Sequence, residues 1–243
     1  MKTRGLSDLR LKVIGLVLVA LSALGTAFVR KGMPSDLTQA SLGQLTWTIV
    51  LEAVSWTGFP IYAWLTVNGY QHTSSVMKYG VRLLVLALVA EIPYDVATAG
   101  KALDMSSQNP VFALVVILIV LYALDRFSPG PRGRSIGVGV LVVIAGVLWM
   151  VGLNIGLRLG VLPGGVVMLA FALIFRYLSH RENIMNIVGC VVGALAGIFP
   201  AFGLAVLHFR NGEQGSASRT VKWFFYAAYP VCLLVIGLAG QWD

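Results

Sequence analysis

Long apolar blocks separated by short polar loops make up most of this chain. A helix needs about 20 apolar residues to cross the hydrocarbon core of a bilayer, and these blocks are not broken by polar positions at every turn, as amphipathic helices are. The pattern therefore predicts an all-α, polytopic membrane protein whose transmembrane helices form one bundle. We expect eight spans, at about 11–29, 45–66, 80–98, 110–127, 136–153, 160–178, 185–207 and 221–239.

Composition and charge support this class. The chain is 58% hydrophobic and 12% charged, whereas soluble domains carry about 25% charged residues. The net charge of +8 does not indicate nucleic-acid binding, because the Lys and Arg residues lie in the short loops where membrane proteins place them. No linker separates two parts of the chain, so residues 1–243 are predicted to form a single transmembrane domain.

The loops also predict an orientation. With the N-terminus inside, the inner loops carry more Lys and Arg than the outer loops, which favours both termini in the cytoplasm. The basic residues 1–10 lead into an apolar block without a small-residue cleavage motif, so this block is expected to remain as the first helix. The stretch Pro163-Gly164-Gly165 indicates a broken or re-entrant element near the start of the sixth span.

The segment 81–95, VRLLVLALVAEIPYD, ends an apolar run with two carboxylates. Glu91 and Asp95 are four residues apart, which places them on one face of a helix. Charges in or beside a bilayer core are costly, so they indicate a site. Pro93 is expected to kink or end the helix. A structural ion pair with Arg158 or Lys101 is the alternative interpretation.

Other polar groups follow the predicted spans toward the same side. In the N-inside orientation, the outer face is expected to collect Glu52, Glu91, Asp95, Gln108, Asn109, Arg158, His208, Arg210 and Asn211. Some of these have simpler explanations. Asn109 before Pro110 is typical of a helix cap, and His208 is equally consistent with an ordinary interfacial histidine.

The chemistry open to such a cluster is limited. The His, Cys and acidic residues do not have zinc-site spacing, so no metal is expected. Phosphate-binding and dinucleotide-binding glycine motifs are absent from the sequence. The remaining possibility is acid–base catalysis by a histidine or a buried carboxylate. Arg or amide groups would then bind a carbonyl or phosphate. Acyl transfer, proton-coupled transport and lipid handling all fit this description.

Several segments, in order and at compatible spacing, resemble the TraX family, membrane proteins associated with N-acetylation of conjugative pilin. The EIPYD stretch and the Phe-Tyr-x-x-Tyr-Pro stretch are the more specific of these matches. The matching segments are 59–73, 78–95, 108–116, 211–215 and 222–236.

The chain departs from the family pattern at three places. The first helix carries Ser22 and Ala23 where the family pattern has an Asp-His pair. The last helix carries Cys232 where a His is expected shortly after the Tyr-Pro pair. An acidic residue before the sixth helix is also missing. The resemblance therefore implies the fold more directly than the activity.

The resemblance implies a multi-pass acyltransferase of the bacterial inner membrane. Its donor would be an acyl thioester such as acetyl-CoA, and its acceptor an amine or hydroxyl of a protein, glycan or lipid. Glu91, Asp95 and His208 are the candidate catalytic residues. The candidate substrate-binding residues are Glu52, Tyr94, Gln108, Asn109, Arg158, Arg210 and Asn211.

Two other functions stay open. The missing Asp-His pair and the 27 glycines, which suit close helix packing, are typical of an inactive accessory subunit in a larger membrane complex. The acidic cluster would also suit a small proton-coupled carrier or a lipid flippase, although we find no inverted repeat. The expected partners are membrane lipid, an acceptor molecule and a second membrane subunit, and not nucleic acid.

Overall fold

The computed structural model describes residues 5–30, 41–127, 132–158, 162–213 and 218–241. These residues are almost entirely helical, which confirms the all-α class. In chain order the elements are α1 (Asp8–Leu24), π1, a π-helix (Gly25–Arg30), α2 (Leu42–Ser55), α3 (Gly58–His72), α4 (Val76–Ala99), α5 (Val111–Phe127), α6 (Arg132–Gly152), β1 (Leu157–Arg158), β2 (Leu162–Pro163), α7 (Gly164–Leu178), α8 (Glu182–Leu195), α9 (Phe199–His208) and α10 (Arg219–Ala239).

Two of the described helical segments are long and apolar enough to cross a bilayer, Asp8–Ala27 and Ser135–Gly152. Other apolar helices, including α7, α8 and α9, are shorter, so the number of eight spans stays a prediction. Large apolar side chains are nevertheless exposed along several helices, a surface that soluble proteins rarely present. On α4 they are Met77, Val81, Leu84, Val85, Leu88, Val89 and Ile92.

The chain divides into two compact units. Unit 1 comprises residues 1–61, 89–104 and 189–243, and unit 2 comprises residues 62–88 and 105–188. The expectation of one transmembrane domain stays a prediction.

In unit 1, α1 and α10 run in the same direction. Where the segment before α10 meets the start of α1, Leu6 N donates to Phe209 O at 2.8 Å and Asp8 N donates to Glu213 O at 2.9 Å. We call this the proximal end of unit 1. At the other end, the distal end, a β-carbon placed on Gly240 would lie 2.8 Å from the carbonyl oxygen of Ala27. The 21 residues of α10 span about 31 Å at about 1.5 Å per residue.

The predicted seventh span, 185–207, is not one helix. It consists of α8 and α9, which are joined at Gly197 and Ile198. The φ angles of these two residues are positive, at 105° and 68° respectively. A β-carbon on Gly193 would lie 2.6 Å from the Ala201 nitrogen, and one on Gly189 would lie 2.6 Å from Leu204 Cδ1. These pairings make α8 and α9 an antiparallel hairpin.

The prediction of a single crossing at 185–207 is therefore wrong. Its physical reason is the turn at Gly197 and Ile198, because a left-handed backbone cannot continue a right-handed helix. Pro200 then lies in the first turn of α9, where its missing N–H costs nothing. The break expected near Pro163 is present as the antiparallel β1–β2 pair, which precedes an uninterrupted α7.

In unit 2, α5 packs against α6 and α7. A β-carbon on Gly146 would lie 2.6 Å from Val120 Cγ2, so this glycine lets α6 approach α5 closely. Phe171 and Phe175 on α7 are fully buried, with ring centroids 6.1 Å apart. Trp64 meets the Phe175 ring edge-on at 5.4 Å. Together these contacts form an apolar core.

Candidate active site

The acidic stretch 91–95 lies in the last part of α4. Tyr94 and Asp95 are buried, and Glu91 is half-buried. Pro93 does not end the helix, because α4 continues to Ala99 with the proline inside it. The two carboxylates therefore share one helix face, as their spacing predicts.

Asp95 is 2% exposed and has two different oxygen environments. Oδ2 accepts a hydrogen bond from the backbone nitrogen of Asp104 at 2.9 Å. Oδ1 is buried and accepts no hydrogen bond from the residues that the structure describes. A buried acceptor without a donor is rare in folded proteins and calls for an explanation. Oδ1 is thus an acceptor that none of the described residues uses.

A second buried carboxylate, Glu52 on α2, accepts hydrogen bonds from two side chains among the described residues. Ser22 Oγ donates to Glu52 Oε2 at 2.5 Å, and Trp56 Nε1 donates to Oε1 at 3.2 Å. Ser22 and Glu52 are 4% and 5% exposed. Ser55 Oγ binds the backbone oxygen of Glu52 at 2.6 Å rather than its carboxylate. The carboxylate is therefore fixed in orientation within the apolar interior of unit 1.

Both carboxylates lie toward the distal end of unit 1. A β-carbon on Gly237 of α10 would lie 2.8 Å from the Ala97 nitrogen, two residues beyond Asp95. Ser22 precedes Ala27, which contacts Gly240, by just over one helical turn. The last turns of α10 thus locate the two acids at the same end.

His208, Arg210 and Asn211 lie at the proximal end instead. Arg210 pairs with Leu6 as an isolated bridge, and Asn211 N donates to Leu6 O at 3.0 Å. The prediction that these residues gather with Glu52 and Asp95 at one face is wrong, because the α8–α9 hairpin returns the chain to the end from which α1 starts. Nearly the whole length of α10, about 27 Å from Arg219 to Gly237, separates the two groups. His208 is thus too far from Asp95 for direct proton transfer.

Among the candidates of unit 2, Asn109 makes structural contacts through its side chain. Asn109 is completely buried, its Oδ1 accepts from Val111 N at 2.9 Å, and its Nδ2 donates to Ala87 O at 2.8 Å. The predicted helix cap is confirmed. Gln108 exchanges backbone hydrogen bonds with Asn154 and Gly156. The backbone of Arg158 belongs to β1, and its side chain lies outside the described residues.

One polar network in unit 2 was not predicted. The Tyr70 hydroxyl donates to Asp125 Oδ2, and Arg176 forms an ion pair with Asp125. These residues line or adjoin a groove of about 670 Å³ between α5, α6 and α7. Burial, then the hydrogen bond and charge of Asp125, raise the pKa of Tyr70 to about 12. The sequence shows a charge near the end of each apolar block, Asp125 and Arg176, but does not indicate that these residues meet Tyr70.

The fold and these sites define a class of protein: an all-α bundle of apolar helices with carboxylates buried in its interior, as in helical membrane proteins with a polar site. The TraX protein family matches residues 10–239, so the chain belongs to the TraX family. No curated protein and no solved structure matches the chain.

Proposed function

We propose that this protein is a TraX-type acyltransferase of the bacterial inner membrane. It transfers an acyl group, acetyl in the simplest case, from an acyl thioester such as acetyl-CoA to an amine or hydroxyl. The acceptor is a protein, glycan or lipid presented at the distal end of unit 1. Family membership and the two acids of α4, the buried Asp95 and the half-buried Glu91, support this proposal.

The observation that carries the proposal is the Oδ1 atom of Asp95. A carboxylate oxygen that is buried and accepts no described hydrogen bond can take the proton of an attacking amine or hydroxyl. The backbone N–H of Asp104 holds the other oxygen, so the carboxylate keeps one orientation. Glu91, one turn earlier on the same face, lies where it can orient the acceptor.

The activity is tested with the full-length protein in nanodiscs and acetyl-CoA. Three acceptors cover the classes: a peptide with a free amino terminus, glucosamine, and phosphatidylethanolamine vesicles. Release of the CoA thiol and transfer of radiolabelled acetyl are measured together. Absence of transfer to all three, also with a longer acyl-CoA, would contradict the proposed function.

The assignment of Asp95 is tested by Asp95→Asn, which keeps the size of the side chain. Turnover should fall by about 10²-fold or more, the usual contribution of a positioned base. Asp104→Asn is the matched control, because it changes the neighbouring carboxylate and keeps the backbone N–H that binds Asp95. Equal turnover in Asp95→Asn and the wild type would exclude Asp95 as the base.

An inactive accessory subunit is the second candidate. The observation in its favour is the first helix, where Ser22 and Ala23 occupy the places of the Asp-His pair that the family resemblance implies. Purification in a mild detergent distinguishes the two functions. A stoichiometric membrane partner, without consumption of any acyl-CoA, would favour the accessory role over the enzyme.

A further inference from the structure

Ser22 and Glu52 form a hydroxyl–carboxylate pair in the interior of unit 1. Their oxygen–oxygen distance of 2.5 Å is that of a charge-assisted O–H···O⁻ hydrogen bond. Both side chains are at least 95% buried. The hydrogen bond gives Ser22 a proton acceptor in direct contact, which is the arrangement that activates a hydroxyl as a nucleophile.

The surroundings hold this pair in place. Trp56 donates to the second oxygen, Oε1, and Ser22 donates to Oε2. The tip of the α8–α9 hairpin packs on Trp56, since a β-carbon on Gly197 would lie 2.8 Å from its Cζ3 atom. A nucleophile, a base and a third group that orients the base are the parts that covalent catalysis requires.

The helix is also irregular just after Ser22. The α-helix changes to the π-helix π1 at Gly25, three residues later. Thr26 Oγ1 donates to the carbonyl oxygen of Ser22 at 3.0 Å. π-Helical turns are rare and occur frequently at functional sites. The irregular turn therefore begins three residues from the hydroxyl–carboxylate pair.

We propose that Ser22 is a nucleophile and Glu52 its general base, so that the acyl group is carried as an ester on Ser22. The Ser22 oxygen attacks the carbonyl carbon of the acyl thioester, its proton moves to Glu52, the carbon–sulfur bond breaks, and the thiolate leaves. The acceptor then attacks the carbonyl carbon of the Ser22 ester, Asp95 takes the proton of the acceptor, the ester carbon–oxygen bond breaks, and Glu52 returns its proton to the Ser22 oxygen. Asp95 finally releases its proton to solvent, which balances the charge of the departed thiolate.

This inference rests on the proposed function, and it divides the acyl transfer into two steps, acylation of Ser22 and transfer to the acceptor. The first step needs no acceptor, so it can be measured by itself. The full-length protein in nanodiscs is incubated with radiolabelled acetyl-CoA or octanoyl-CoA alone, quenched in acid, digested and mapped by mass spectrometry. We expect one acyl ester, on the peptide that contains Ser22.

Three variants test whether Ser22 is the acylated residue and Glu52 its general base. Ser22→Ala should remove the label. Ser22→Cys should be acylated as a thioester, which neutral hydroxylamine cleaves and the Ser22 ester resists. Glu52→Gln keeps an oxygen for the Ser22 hydrogen bond and should slow labelling by about 10²-fold or more, as loss of a general base does. Each variant must elute as a monodisperse species in gel filtration.

Ser55→Ala is the matched control. It removes another buried hydroxyl one turn from Glu52, one that contacts the backbone oxygen and not the carboxylate. Labelling of this variant should proceed at the wild-type rate.

Absence of label in the wild type with both probes would overturn the inference, as would label that persists in Ser22→Ala. If acyl transfer to an acceptor continued at the wild-type rate in Ser22→Ala, the proposed function would stand and the Ser22 ester would not.

Discussion

The backbone nitrogen of Leu6 donates a hydrogen bond of 2.8 Å to the carbonyl oxygen of Phe209. This contact joins the segment before α1 to the residue that follows α9, although 203 positions separate them in the chain. It fixes the exit of the α8–α9 hairpin at the proximal end of unit 1, where both α1 and α10 begin. The hairpin therefore runs toward the distal end and returns to the proximal end. The end of α10 lies beside the end of α1.

This geometry predicts that the two ends of α10 face opposite sides of the membrane. The test uses a variant without Cys190 and Cys232 and introduces Glu213→Cys or Gln241→Cys, both at exposed positions. An impermeant maleimide applied to whole cells should label one of these cysteines, and the other should react only after the membrane is opened. Because α10 is a single helix of 21 residues, labelling of both from the same side would contradict the crossing.

The expectation of two cytoplasmic termini combined the Lys and Arg bias of the loops with eight apolar blocks, and two of those blocks, 45–66 and 185–207, are each divided between two helices. Residues 185–207 are apolar enough for a span, and their glycines looked like ordinary packing positions. The informative signal was local: Gly197 can end a helix, and Pro200 can begin one. Hydropathy does not register this turn because glycine and proline barely change the mean over the block.

Local patterns were otherwise good predictors. The Asn109-Pro110 pair gave the correct helix cap, and the spacing of Glu91 and Asp95 gave the correct helix face. Contacts between distant segments were not predictable. The pairing of Ser22 with Glu52 joins positions 30 apart, and that of Tyr70 with Asp125 joins positions 55 apart. The sequence does not give the register of one helix against another. It therefore shows which residues are charged but not which residues they contact.

Gly193, in the hairpin, should tolerate substitution poorly. In Gly193→Ala the new β-carbon would meet the Ala201 nitrogen at 2.6 Å, and a backbone atom cannot rotate away. Overpacking of this kind typically costs about 1–3 kcal/mol. We expect a lower midpoint in a detergent thermal-unfolding assay followed by tryptophan fluorescence.

Gly137→Ala provides the control for this substitution. A β-carbon at Gly137, inside α6, meets nothing within 4 Å, so alanine should raise stability by up to about 1 kcal/mol through its helix propensity. A decrease of the same size in both variants would show that glycine content, and not the hairpin contact, controls stability.

The network of Tyr70, Asp125 and Arg176 predicts that the stability of the folded protein decreases at high pH. Because the pKa of Tyr70 is raised from 10.0 to about 12 in the folded protein, its neutral form favours the folded state. The stabilising contribution is complete below about pH 10, the ordinary tyrosine pKa, and is lost as the pH rises toward about 12.

Tyr70→Phe cannot ionise at this position and lacks the hydrogen bond to Asp125. It should be less stable than the wild type below pH 10, by about 1 kcal/mol for a partly exposed hydrogen bond. The difference should shrink between about pH 10 and pH 12. Unfolding midpoints measured against pH for both proteins test this, and parallel curves across the range would contradict the assigned pKa.

Substitutions of Asn109 distinguish a structural role of this residue from a role in substrate binding. Its side chain caps α5 through Val111 N and also binds Ala87 O of α4. Asn109→Ala removes both bonds and should cost about 1–2 kcal/mol for the cap alone, plus the cost of leaving the buried Ala87 oxygen without its donor. Asn109→Ser keeps a capping oxygen and should recover about half of the loss. If the residue is structural, the folded fraction of each variant has the wild-type KM for acetyl-CoA. A raised KM with unchanged thermal stability would instead assign Asn109 to substrate binding.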